Sequence, residues 1–194
     1  AQENPPAVVS HPLAHGTKLE DLQVPGPEAG RIGIALAAAK RLRQANPDIA
    51  LYGLITGPFT LALHLMGTDI FMKMFDDASF VHRVLGFCRK VCLALSEYYM
   101  EAGCDVIAVV DPMTSQIGPD QFREFVSPCI KPVFERIRQQ GRLSSFFVCG
   151  HAEQNIKEMC DCRPDNVSID ENIPLEYVRE VCLERQISFG GNLQ

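Results

Sequence analysis

Short apolar runs rich in β-branched residues alternate along the chain with longer stretches whose apolar residues recur every three or four positions. IALYGLIT, ending at Gly57, and residues 105–111, 144–149, 166–170 and 186–190 have the length and make-up of strands. Residues 28–46, the PFTLALHLMG segment, the stretch after Asp77, and residues 119–140, 152–160 and 174–184 have helical spacing. In the first helix Ile32, Leu36, Ala39, Leu42 and Arg43 set an apolar face beside a basic one, and Asn46-Pro47 ends it. Pro58 suits a first helical turn. Asp77 is placed to cap a long helix in which Phe80, Val84, Phe87, Cys88, Val91, Leu95 and Tyr98 point inward until Gly103. Pro128 and Pro132 predict a kink or break in the helix over 119–140.

Strand-helix alternation implies parallel strands joined by right-handed crossovers, either closed as a barrel or open as a doubly wound sheet. The second strand is apolar throughout, which predicts cover on both faces. About five strands are counted, whereas a closed eightfold barrel takes about 250 residues. The chain stops at GGNLQ, where a strand would pass into a helix, so residues 28–194 read as part of a larger or interrupted unit. Residues 1–27 are proline-rich without a sustained period and read as an irregular N-terminal arm.

With 194 residues, 46% hydrophobic and 22% charged, the chain has enough apolar material for one core and is not disordered. Eighteen basic against 24 acidic residues give a net charge of −6, which excludes a nucleic-acid partner on electrostatic grounds. The apolar runs fall short of the roughly 20 residues of a membrane helix. AQENPPAVVS also lacks a signal pattern, so the chain reads as cytoplasmic and not membrane-bound. The eight cysteines lie inside apolar segments, as reduced core thiols do.

Polar residues close four of the strand-like runs: Asp111, Cys149, Asp170 and Asn192. In barrels, chemistry sits at the carboxyl ends of strands, so these four are expected to share a mouth. Asp111 would serve as general acid or base, and Cys149 as thiolate ligand or nucleophile. Asn192, after Gly190-Gly191, would bind substrate through its amide. Asp170 would join a polar network at the rim or cap the helix before Pro174.

GLITGPFTLALHLMG resembles the GxxxGPFTL signature of the uroporphyrinogen decarboxylase superfamily. The likeness continues in register through AGCDVIAVVDPMTSQIGPDQFREFVSPCIKPV, FFVCG, VSIDENIPL and GGNLQ, and covers roughly residues 24–194. It implies a (β/α)8 TIM barrel, incomplete in this chain, with its pocket at the strand carboxyl ends. The superfamily holds cofactor-free tetrapyrrole decarboxylases and methyltransferases that take a methyl group from a corrinoid, often onto a zinc-bound thiolate.

Against the decarboxylase pattern, the RQAGR motif is absent, His64 stands for a tyrosine and Pro112 for a serine. Against the methyltransferase pattern of His-x-Cys-Gly, Cys149 is retained and Phe147 replaces the histidine, while the second zinc cysteine would lie past Gln194. DPMTS is closer to the DPTAS of the methyltransferases. The resemblance therefore implies methyl transfer between a corrinoid (cobalamin) and a small acceptor such as a thiol. Uroporphyrinogen decarboxylation and a non-catalytic corrinoid- or tetrapyrrole-binding module are the alternatives. It casts Asp111, Cys149 and His64 as catalytic, Phe59, Met113, Asp170 and Asn192 as substrate-binding, and Cys149 as a zinc ligand. A small-molecule or tetrapyrrole substrate, a corrinoid protein and a second copy of the chain are the expected partners, the last because an unclosed barrel exposes strand edges.

Overall fold

Bounded by turn residues, the apolar runs do become strands, and five of them pair in the computed structural model, which describes residues 8–191. β1 (Tyr52–Thr56), β2 (Val106–Val110), β3 (Leu143–Val148), β4 (Asn166–Ile169) and β5 (Ser188–Gly190) form one parallel sheet in the order β1-β2-β3-β4-β5. An order that never turns back is the succession of a barrel; a doubly wound sheet reverses at a switch point. The architecture is five consecutive strands of an incomplete (β/α)8 barrel.

Alternation assigns the two sheet faces. Ile55, Ile107, Val109, Phe146, Val148, Val167 and Ile169 are buried on the face that the helices cover. On the other face Tyr52, Leu54 and Leu143 are 59%, 61% and 56% exposed, on the side that a closed barrel turns inward. Register places Thr56, Val110, Phe147, Ser168 and Gly190 in one row across that open face.

The helices are α1 (Ile32–Ala45), α2 (Pro58–Met66), α3 (Asp69–Asp76), α4 (Ala78–Glu101), a single turn α5 (Pro119–Gln121), α6 (Ser127–Gln139), α7 (Ile156–Asp161) and α8 (Leu175–Glu184). α1 begins four residues later than its spacing predicts, and Leu42 is 53% exposed, outside the buried face of Leu36 and Ala39. Asp77 caps α4 as expected, accepting from the Phe80 N–H at 3.1 Å. The buried line of α4 keeps the predicted Val84, Cys88 and Val91 and adds Val81, Leu85, Cys92 and Ser96, whereas the predicted Phe80, Phe87, Leu95 and Tyr98 are half-buried. The predicted break near Pro128 takes the form of a π-helical turn over Phe122–Val126, with the Ser127 N–H bonded to the Phe122 carbonyl. This wider turn precedes Pro128, which has no N–H to give, and α6 then runs through Pro132.

The arm straps onto α2. The Leu13 N–H donates to the Leu65 carbonyl at 3.0 Å, His11 Nδ1 donates to the His64 carbonyl at 2.9 Å, and Leu13 and Leu19 pack on the core. At the amino ends of the strands Asp105 accepts from the Leu51 N–H and pairs with Arg43 and Arg142. Arg43 also donates to the carbonyls of Gly103, Pro47 and Ile49. All eight cysteines are free, and seven are buried. Among the described residues no helix is long and apolar enough to cross a membrane.

Candidate active site

At the carboxyl ends of β1 and β2 lies a pocket of about 300 Å³ lined by Leu54, Ile55, Thr56, Thr60, His64, Val110 and Pro112. Its wall is built from α2, whose start is fixed by Asp111. That carboxylate is fully buried and accepts from the Phe59 N–H at 3.1 Å, the Thr60 N–H at 2.7 Å and the Thr60 hydroxyl at 2.6 Å. Thr60 Oγ1 in turn accepts from the Met113 N–H at 3.1 Å, which joins the loop after β2 to α2. The amide donors at the first turn of a helix favour an anion. Burial nevertheless pushes the Asp111 carboxyl up to about 6, against the lowering effect of these bonds. The chain passes this carboxylate at Gly57, where any Cβ would lie 2.4 Å from the Asp111 side chain.

Register explains why Asp111 leaves the rim. One step beyond the row of Val110 and Phe147, Asp111 falls on the helix-covered face with Gly57, Val148 and Ile169. Its N–H donates to the Phe147 carbonyl at 3.0 Å, so the ladder continues to this point. Cys149 and Asp170 follow Phe147 and Ser168 by two residues and keep to the open side. Cys149 and Asp170 thus lie together at the ends of β3 and β4, His64 lines the pocket at the ends of β1 and β2, and Asp111 is buried behind that pocket.

Phe59, expected beside substrate, is fully buried, its ring centroid 6.4 Å from that of Phe71, and only its backbone N–H serves the site. The Met113 side chain is half-buried against the core and does not line the pocket. Asp170 does not cap α8, whose N-cap is Pro174. Its Oδ2 accepts from the Gly150 N–H and its Oδ1 from the Asn172 N–H, locking the β3 and β4 loops together. Burial works to raise this carboxyl, and the two amides bring it below the usual range. Asn192 lies outside the described residues.

His64 lines the pocket, its pKa lowered by burial and by neighbouring His11. Cys149 is half-buried, and burial, then Asp170 and Glu171, raise its thiol pKa. It is thus a protonated thiol near neutral pH. His151 is exposed in a separate depression with Glu153, Gln154 and Tyr177. Among the described residues no group of three His, Cys, Asp or Glu side chains is arranged to hold a metal ion. One raised-pKa thiol beside a phenyl at 147 does not fit zinc, which takes three or four deprotonated ligands.

Two residues escaped the sequence reading. Thr60 is the hub of the Asp111 network, and its signal was its place in GPFT. Asn155 is fully buried and donates to the carbonyls of Thr114 and Ile117 at 2.9 and 2.8 Å, pinning the loop after β2 to the start of α7. A lone asparagine before an apolar run carried no distinguishing signal.

Residues 1–194 match the uroporphyrinogen decarboxylase (URO-D) family over their whole length. The chain belongs to that family. Relatives of this URO-D member include the methylcobamide:CoM methyltransferase MtbA of Methanosarcina acetivorans, 25% identical over 174 residues that make up 88% of this chain and 51% of the relative. The methylcobamide:CoM methyltransferase MtaA of Methanosarcina barkeri is 28% identical over 174 residues, 87% of this chain and 50% of that one. The uroporphyrinogen decarboxylase of Myxococcus xanthus is 24% identical over 190 residues, 94% and 54%. A solved methyltransferase from Methanosarcina mazei superposes with a TM-score of 0.81 at 25% identity, covering 89% of this chain and 52% of its own. The URO-D chain described here spans about half the length of the curated relatives it matches.

Proposed function

We propose that this URO-D family member is a methyltransferase that moves a methyl group between a corrinoid and a small acceptor such as a thiol. The observation that carries the reading is the charge of the rim. The segments that follow the strands, 57–58, 111–118, 149–155, 170–174 and 190–191, bring Glu153, Asp170 and Glu171 to the rim, with Asp111 buried behind it, and hold no lysine or arginine. A decarboxylase of uroporphyrinogen must hold a ring bearing many carboxylates, which calls for arginines around the pocket. An apolar pocket of about 300 Å³ is at the small end of ligand sites and suits a small acceptor, with the corrinoid presented by a partner protein at the mouth formed by the strand carboxyl ends. The corrinoid, when bound, supplies the methyl group.

The chain's own residues would prepare the acceptor. His64, kept neutral by burial and by His11, is in the form that takes up the acceptor thiol's proton. Asp111 is a positioning residue, since its bonds to Phe59 and Thr60 set the start of the helix that carries His64. Cys149, as a protonated thiol, lines the mouth and does not attack. No step is routed through zinc.

The full-length protein with methylcobalamin and 2-mercaptoethanol is expected to yield the methyl thioether, with His64→Ala slower by about 10²-fold. Carbon dioxide release from uroporphyrinogen without thioether would replace this reading with decarboxylation. Methylcobalamin binding with no transfer to any of a panel of thiols would reduce it to a binding module.

A further inference from the structure

The four longer crossover segments end alike. α4, α6, α7 and α8 each end two residues before a left-handed position, which is glycine in the first two, Gly103 (φ 98°) and Gly141 (φ 67°), and not in the last two, Arg163 (φ 57°) and Gln186 (φ 57°). Glycine takes this conformation without strain, and other residues do not. Arg163 and Gln186 are the two non-glycine residues with positive φ among those described, and both line one groove of about 650 Å³ at the amino ends of β4 and β5. This groove is on the opposite end of the sheet from the candidate active site.

Three guanidinium groups meet there, from Arg138, Arg163 and Arg185. Two of them are engaged. Arg185 Nε donates to Asp161 at 2.8 Å, and Arg138 donates to the Arg163 carbonyl at 2.6 Å with its Nε 3.8 Å from Asp165. Asp165 is itself occupied, accepting from the Ser144 N–H and hydroxyl at 2.8 Å each. The Arg163 side chain has no hydrogen-bond or ion-pair partner among the described residues and is exposed. A strained backbone position thus carries the one surplus cation of the groove, and the second strained position adds an amide beside it.

We propose that this groove binds an oxyanion of a small molecule, phosphate or carboxylate, through Arg163 and Gln186. A planar guanidinium fork matches either group with two parallel hydrogen bonds. The strain at 163 and 186 is retained because glycine would supply no donor.

The test is thermal unfolding of the full-length protein in sodium phosphate or sodium citrate, against chloride at equal ionic strength. Both anions also stabilise proteins by exclusion from the surface, without saturating, so the quantity read is the saturable rise in Tm. Wild type is expected to show it, with phosphate or citrate alone identifying the oxyanion. Arg163→Gly is expected to melt higher than wild type in chloride, because the strain is relieved, and to bind about tenfold more weakly or worse. Arg163→Lys, which keeps charge and strain but loses the fork, is expected to fall between. No saturable rise in wild type, an equal rise in Arg163→Gly, or an Arg163→Gly that melts lower in chloride would each overturn the proposal.

Discussion

Replacing Asp111 tests the site where it is most tightly built. Three hydrogen bonds to an ionised carboxylate, at about 1.5–3 kcal/mol each, hold the loop after β2 to α2. Burial outweighs them, and the net effect raises the carboxyl from 3.8 to about 6, about 3 kcal/mol against the ionised form relative to the unfolded chain at pH 7. Asp111→Ala strands the Phe59 and Thr60 donors in the interior, and a loss of about 4 kcal/mol is expected, in the range found when one partner of a buried charged contact is removed. Asp111→Asn has the same shape and can still accept from Thr60, but its amide faces the Phe59 N–H, and about 2 kcal/mol is expected.

The pH dependence separates charge from shape. Because the folded pKa lies above the unfolded one, the folded protein binds the proton more tightly, and wild type gains stability at this residue as pH falls through about 6 towards 3.8. Asparagine does not titrate. Urea unfolding of the two proteins is therefore expected to show wild type's lead over Asp111→Asn widening by about 2 kcal/mol between pH 7 and about pH 4.5. Taking the difference cancels the other carboxylates. A lead that narrows with acid, or an Asp111→Asn within about 0.5 kcal/mol of wild type at every pH, would refute the buried, three-bonded carboxylate.

Gly57→Ala places a methyl 2.4 Å from the Asp111 side chain and is expected to cost about 2–3 kcal/mol by overpacking. Combined with Asp111→Gly, which removes the Asp111 Cβ as well as its carboxylate from the path of the new methyl, it should cost much less than the two losses together; simple additivity would show that the two residues do not meet. Cys149 is the one cysteine of eight that is not buried. A maleimide is expected to label it first in the native protein, faster as pH rises and the thiolate forms, with the raised pKa moving that acceleration to higher pH than for a free thiol. Equal labelling of a second thiol would contradict the burial of the other seven.

The five strands and most of the helices, though not α3, were legible because they follow from short-range patterns: β-branched runs, capping Asp77, and stop signals at Gly103 and Asn46-Pro47. Side-chain direction was not. Asp111 and Cys149 both end apolar runs and look equivalent along the chain, yet one faces the helices and the other the open side. The difference is set by which residue of β2 pairs with which residue of β3, a relation between segments about 40 residues apart. Phe59 was misplaced for a similar reason, since a residue in the first turn of α2 can face either pocket or core. The inward face of α4 was also shifted, because aromatic side chains suggested burial at Phe87 and Tyr98 while smaller Cys92 and Ser96 occupy the interior. The left-handed ends at Arg163 and Gln186 were hidden because neither residue type announces that conformation.

These directions change what the family signature means. In GPFT, Gly57 makes room for the Asp111 carboxylate, Pro58 opens α2, Phe59 fills the core and Thr60 bonds the carboxylate. The signature thus builds the junction between β1, β2 and α2, and carries no group that faces the open side apart from the edge of Thr60. A junction of this kind serves any reaction performed in front of it, which is why relatives named for methyl transfer and for decarboxylation can share it. We propose that discrimination between the chemistries falls to the open-side positions, His64, Pro112, Phe147, Cys149 and Asp170. Three of them are positions at which the chain departs from one or other branch, with histidine for tyrosine at 64, proline for serine at 112 and phenylalanine for histidine at 147. Exchanging side chains there should alter which ligand the pocket accepts while leaving the fold intact, whereas exchanging any member of the Gly57-Asp111-Thr60 junction should lower stability before it alters specificity.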